Sequence, residues 1–146
     1  MQGKKDPMHD ETITVFNLKN GYWYPTIIGG VHIETHTAAD LTINGINNVG
    51  SVFISIPAAK NRTVKTSAGT KRFVRPKEYE SSDPAECFTM TPDRDFIYEG
   101  EWRNIEADDD YDSGFYDEMN RTKDGIHLIN AAEFLKLIPH IEVGAK

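Results

Sequence analysis

Asp108, Asp110 and Asp112 place three carboxylates at alternate positions, which is how a calcium-binding loop begins. Such a loop needs glycine at its sixth position for a sharp turn and a bidentate glutamate at its twelfth. Here those positions hold Ser113 and Met119, while Gly114 and Glu118 each miss by one residue. The pattern reads as a solvated acidic surface that includes Asp109, and no metal is expected there. His32 and His36 lie four apart, a spacing that would put two imidazoles on one face of a helix. Their neighbours Val31, Ile33 and Thr35 favour strand. On a strand the two rings stand about 13 Å apart, at roughly 3.3 Å per residue, too far to share one ion. Asp95, Glu99 and Glu101 are the nearest thing to an acid–base pair, and strand alternation predicts that they lie on an exposed face. Cys87 is the single cysteine and is expected to be a small core hydrophobe. The chain carries no dinucleotide or phosphate-binding glycine loop, no nucleophile elbow and no H-E-x-x-H. No catalytic residue and no cofactor is assigned.

The elements that would position these groups are mostly strands. Thr12 to Leu18 is β-branched and alternating, and it runs into Asn20-Gly21, whose tolerance of positive φ predicts a type I′ hairpin turn. Tyr22-Trp23-Tyr24 is the returning strand, with Pro25 marking an edge or an interruption. Gly29-Gly30 predicts a bulge or sharp bend before Val31, Ile33 and Thr35 resume a period of two. Ser51 to Pro57 is the clearest strand, with Val52, Ile54 and Ile56 on one face. Pro76 to Tyr79 predicts a helical turn with proline at its first position. Asp95 to Trp102 reads as a strand, as do Ile126 to Ile129 and His140 to Val143. Residues 131–137 have helical composition, which Pro139 would stop. The resulting class is mostly β: a small antiparallel β-barrel or sandwich with a long loop and at most one or two short helices.

The chain has 146 residues, which suits one domain able to bury a core without disulfides. Residues 1–10, with Lys4 and Lys5 but no apolar run behind them, are expected to form a polar arm rather than a signal peptide. Residues 11–146 then form a single barrel-like domain. No stretch approaches the roughly 20 apolar residues of a membrane span, and one cysteine leaves no intramolecular disulfide, which suits a reducing compartment.

The net charge of −7 argues against generic affinity for nucleic acid or anionic membrane. Its layout is more informative. Residues 60–77 carry seven bases (Lys60, Arg62, Lys65, Lys71, Arg72, Arg75 and Lys77) and no acid, whereas residues 78–118 carry fifteen acids against two bases. Residues 58–72 have no apolar period, so the stretch 58–75 is expected to be an extended basic loop or hairpin arm. Deleting residues 61–69 should then remove little buried surface. The bases can be read as a solvated loop or as an arm that meets phosphates or an acidic protein surface. Phe73 is the only aromatic within it, so base stacking has little support.

An ordered series of segments resembles a family of uncharacterised tailed-phage proteins, from phages and prophages of Gram-positive hosts, encoded among the head–tail joining genes. It comprises Ile13-Thr14-Val15-Phe16-Asn17, Tyr22-Trp23-Tyr24 leading to Ile28-Gly29-Gly30-Val31, and Val52 to Pro57. Phe73-Val74-Arg75-Pro76-Lys77-Glu78-Tyr79, Phe88-Thr89-Met90, Asp95 to Gly100 and Pro139 to Gly144 follow. The resemblance implies a structural virion protein assembled in the host bacterial cytoplasm: a head-completion or stopper subunit in a homo-oligomeric ring of the phage neck. Its partners would be portal or adaptor and tail proteins, with non-specific contact to packaged DNA open and no membrane. Residues 60–77 would supply a channel or partner contact, and Asp108, Asp109, Asp110 and Asp112 an acidic counterpart. Three alternatives stay open: a tail-completion (terminator-like) protein, an OB-like nucleic-acid-binding barrel, and a hydrolase with its site on the acidic strand.

Overall fold

The computed structural model describes residues 10–37 and 50–146, with only the backbone of residues 36, 37 and 50. The expected N-terminal arm therefore lies outside the described residues, apart from Asp10. The elements run β1 (Glu11–Lys19), β2 (Tyr22–Thr37), β3 (Gly50–Pro57), β4 (Thr63–Thr66), β5 (Gly69–Phe73), α1 (Pro76–Tyr79) and β6 (Cys87–Phe88). Then come β7 (Phe96–Tyr98), β8 (Glu106–Ala107), a 3-10 turn (Asp108–Asp110), α2 (Phe115–Thr122), β9 (Ile126–Leu135) and β10 (His140–Ala145).

Six strands close on themselves in the order β1-β7-β9-β10-β3-β2 and back to β1, every neighbour antiparallel. The expected mostly β class is what forms, as a closed barrel with two short helices. β1 and β2 are joined by Asn20 and Gly21 at φ 53° and 82°, the two positive values that a type I′ turn requires. β2 closes the barrel by serving two partners: Tyr22 to Val31 pair with β1, and His32 to Thr37 pair with β3. The change falls at Gly29-Gly30. There the register with β1 slips by one residue between Glu11↔Val31 and Ile13↔Ile28, and Gly30 takes φ 67°. This is the expected bulge, and it bends the strand so that it can pass from one partner to the other.

Alternation divides the apolar side chains of β1 between two cores. Ile13 and Val15 join Ile28, Ile54, Ile56, Ile97, Ile129, Ile141 and Val143 in the larger one. Phe16, on the opposite face of β1, stacks on Phe96 at 4.8 Å between ring centroids, and Phe115 and Met119 of α2 cover the pair. β1 is consequently buried continuously from Ile13 to Asn17. Each fully buried aliphatic or phenyl side chain contributes about 1.5–3 kcal/mol, so the helix that covers the outer face matters as much as the barrel filling.

β9 and β7 differ from the sequence expectation. Residues 131–137 do not form a helix: β9 continues to Leu135, paired with β10 in one register from Gly144↔Ala131 to His140↔Leu135, with a one-residue slip before Ala145↔Ile129. Helix propensity spans only about 0.7 kcal/mol per ordinary residue, and a ladder with buried Ile141 and Val143 opposite outweighs it. The strand expected over residues 95–102 shortens to Phe96–Tyr98. The one-turn helix at Pro76–Tyr79 forms as expected, with proline in its first turn.

Candidate functional site

The basic stretch is a folded hairpin. β4 and β5 pair from Thr63↔Arg72 to Thr66↔Gly69, and β6 adds a short parallel strand to β5. Alternation turns Val64, Lys71 and Phe73 inward, where all three are buried. Of the extended loop or hairpin arm expected at residues 58–75, the hairpin is what forms, but it does not project: it packs its inner face where β2 parts from β3. Two hydrogen bonds fasten it to β2: Ser67 N donates to Ile27 O at 3.0 Å, and Lys71 Nζ donates to Thr26 Oγ1 at 2.8 Å.

The seven bases are therefore not all placed on the surface. Lys71 is 6 % exposed, and burial lowers its pKa. Arg62, at φ 70°, lays its guanidinium 5.1 Å from the centre of the Phe134 ring. Arg72 pairs with Glu78 at 2.8 Å. Lys60, Lys65, Arg75 and Lys77 remain exposed, with no ion pair among the described residues.

The acidic segment is similarly divided. Asp108 Oδ1 accepts hydrogen bonds from Trp23 Nε1 at 2.9 Å and from Phe115 N at 2.8 Å, so it ties α2 to β2. Asp109, Asp110 and Asp112 are exposed and make no ion pair among the described residues. No group of three or more His, Cys, Asp or Glu side chains is placed to hold a metal ion among the described residues. His32 and His36 lie on strand, as expected, with His32 Nε2 3.1 Å from Glu34 Oε1.

Asp95 is not on an exposed face; it is fully buried. β7 begins only at Phe96, so Asp95 belongs to the preceding turn, and its carboxylate bonds backbone instead of facing solvent. It accepts from Thr91 N at 2.8 Å and Asn17 Nδ2 at 2.9 Å. Burial raises its pKa against these hydrogen bonds and the charge of Arg94. Asn17 also donates to Thr89 O at 2.5 Å and accepts from Thr89 N at 3.1 Å, so the network joins β1 to the segment after β6. Cys87 is buried beside Val74 and Tyr79, the core role expected of it. Glu99 is exposed, but its Oε2 lies 2.5 Å from His127 Nε2, whose Nδ1 lies 3.1 Å from Lys146 O. That pair is 28 residues apart in sequence, and no local spacing could have revealed it; the adjacency of β7 and β9 creates it.

Among the described residues, open grooves follow the β2 edge between its pairing with β8 and its pairing with β3. One of about 460 Å³ lies between Ile28–Gly30 and the outer face of the hairpin. Two more, of about 390 Å³ and 130 Å³, lie on either side of Lys71 and share Pro25, Lys71 and Arg103.

These features define a small closed antiparallel β-barrel whose opening is filled by a basic hairpin and whose outer face is covered by an acidic turn and helix. Residues 8–146 match the profile of the Family of unknown function (DUF6751), and the chain belongs to that family. No curated protein and no solved structure matches it. No helix among the described residues is long and apolar enough to cross a membrane.

Proposed function

We propose that the chain is a structural subunit of a tailed-phage virion, a head-completion or stopper protein that forms a ring in the neck between portal or adaptor and tail proteins. One observation supports this beyond the sequence resemblance. Exposed Lys65 on the hairpin and the exposed run Asp109, Asp110 and Asp112, none of them in an ion pair among the described residues, occupy separate elements of the barrel. Lys65 lies on the hairpin side of the β2 edge, near Ile28–Gly30, and exposed Lys60 precedes the hairpin in sequence. Asp109, Asp110 and Asp112 follow Asp108, whose N–H donates to Gly21 O at 2.9 Å. The stretch of β2 between these points spans about 20 Å, at roughly 3.3 Å per residue. Subunits of a ring meet head to tail and need two different complementary surfaces, which this layout supplies. The ring would assemble in the host cytoplasm and act by contact, without catalysis.

Deleting the gene from a phage or inducible prophage that encodes it tests the proposal. The expected result is DNA-filled or leaking heads without tails, with the protein present in wild-type particles by mass spectrometry. Tailed infectious particles from the deletion, or absence of the protein from purified virions, would overturn it. Replacing Lys60, Lys65, Arg75 and Lys77 with Ser should reproduce the defect while leaving the purified barrel folded. A terminator role would instead leave heads complete and tails of irregular length.

A further inference from the structure

Lys71 is a charged side chain with almost no exposure, and its one hydrogen-bond acceptor among the described residues is the neutral Thr26 hydroxyl. Burying an ammonium opposite a neutral group is costly, and burial accordingly pushes its pKa down. A hairpin needing only an anchor to β2 already has one in the Ser67 N–H to Ile27 carbonyl bond. The two grooves beside Lys71 bring a second cation, Arg103, to the same place. Among the described residues Arg103 is engaged by Glu101, both well exposed, so this pair can open at little cost. The remaining walls of the larger groove are largely apolar: Pro25, Pro84 and Tyr24, with Ile105 on the rim at 56 % exposure. Asp83 is the one acid lining the larger groove.

We propose that the cleft around Lys71 and Arg103 is a docking site for an extended segment of a partner protein that carries a carboxylate between apolar side chains. The carboxylate supplies a hydrogen-bonded counter-charge, which neither the neutral Thr26 nor Asp83, acting on Lys71 through its charge alone, provides. Its apolar neighbours cover Ile105 and the proline walls. A phosphate would bring more charge than these walls match and would leave Ile105 in water. The inference is independent of the neck proposal, because the cleft's chemistry is the same in any particle or cell.

The test is amide NMR of the intact protein titrated with an acetylated Leu-Glu-Leu-Glu-Leu peptide and with its Leu-Gln-Leu-Gln-Leu counterpart. The expected result is saturable shifts at Thr26, Ala85 and Ile105 with the glutamate peptide, and at least tenfold weaker binding of the glutamine one. Lys71→Met should weaken the glutamate peptide at least tenfold, with shifts elsewhere in the spectrum unchanged. If that variant does not fold, Arg103→Gln and the glutamine peptide still decide. No saturable shift at millimolar peptide, equal binding of the two peptides, or tighter binding of inorganic phosphate would overturn the proposal. So would concentration-dependent shifts at the same amides without peptide, which would assign the cleft to a second copy of this chain.

Discussion

The indole N–H of Trp23 donates to Asp108 Oδ1 at 2.9 Å, across 85 residues of sequence. The first carboxylate of the acidic segment is thereby a fastener: it holds the turn and the start of α2 against β2, and its neighbours are left to solvent.

Asp108→Ala should accordingly lower stability by about 2 kcal/mol, because it strands the Trp23 and Phe115 donors. Asp109→Ala and Asp110→Ala should stay within about 0.5 kcal/mol of wild type. Gly114→Ala should also destabilise, since φ is 88° there and a Cβ would stand 3.2 Å from Asp108 Oδ1. Chemical denaturation measures all four. Millimolar calcium should leave the melting temperature nearly unchanged, whereas a site at a hundred times its Kd would add about 2.7 kcal/mol.

The hairpin should contribute to folding. Val64→Ala is expected to cost about 2 kcal/mol and Phe73→Ala about 3–4 kcal/mol, as for other buried truncations. Lys65→Ser, on the outer face, should cost less than about 0.5 kcal/mol. Deleting residues 61–69 removes buried Val64 and the Ser67 anchor, so it should destabilise strongly, contrary to the expectation from sequence. Equal melting temperatures for the deletion and the wild type would refute the hairpin's place in the core.

Lys71 sets a pH dependence with a definite sign. Burial lowers its folded pKa below the ordinary 10.5, so between the two values the unfolded chain holds more protons than the folded one. Stability then rises with pH through that window. The stability of wild type relative to Lys71→Met should therefore increase as the pH is raised toward 10.5 in urea titrations. A flat or falling difference contradicts a buried ammonium.

Asn17 and Asp95 act as one unit, since the amide of Asn17 bonds both Asp95 and Thr89. Asp95→Ala should cost about 3 kcal/mol and Asn17→Ala about 2 kcal/mol, by loss of buried partners. The double variant should fall short of their sum by about 1 kcal/mol or more. Additive losses would show that the two groups act separately.

Sequence alone determined the features that a few adjacent residues control through their own backbone preferences. The Asn20-Gly21 turn, the bulge at Gly29-Gly30, the proline-led helical turn at Pro76–Tyr79 and the strand Gly50–Pro57 all follow from which φ and ψ those residues tolerate and from alternation. Enough such signals accumulate to make the β class legible. What tertiary structure decided is burial and partnership. Residues 131–135 become strand because β10 pairs with them. Lys71 leaves the basic surface because Thr26, 45 residues away, lies beneath it, and Asp95 becomes internal because Asn17 and Thr91 receive it. Local composition records the cost of a conformation but not the identity of the residue that closure of the barrel brings opposite. For a charged side chain, that partner's chemistry and the loss of water around it outweigh anything its neighbours in sequence contribute.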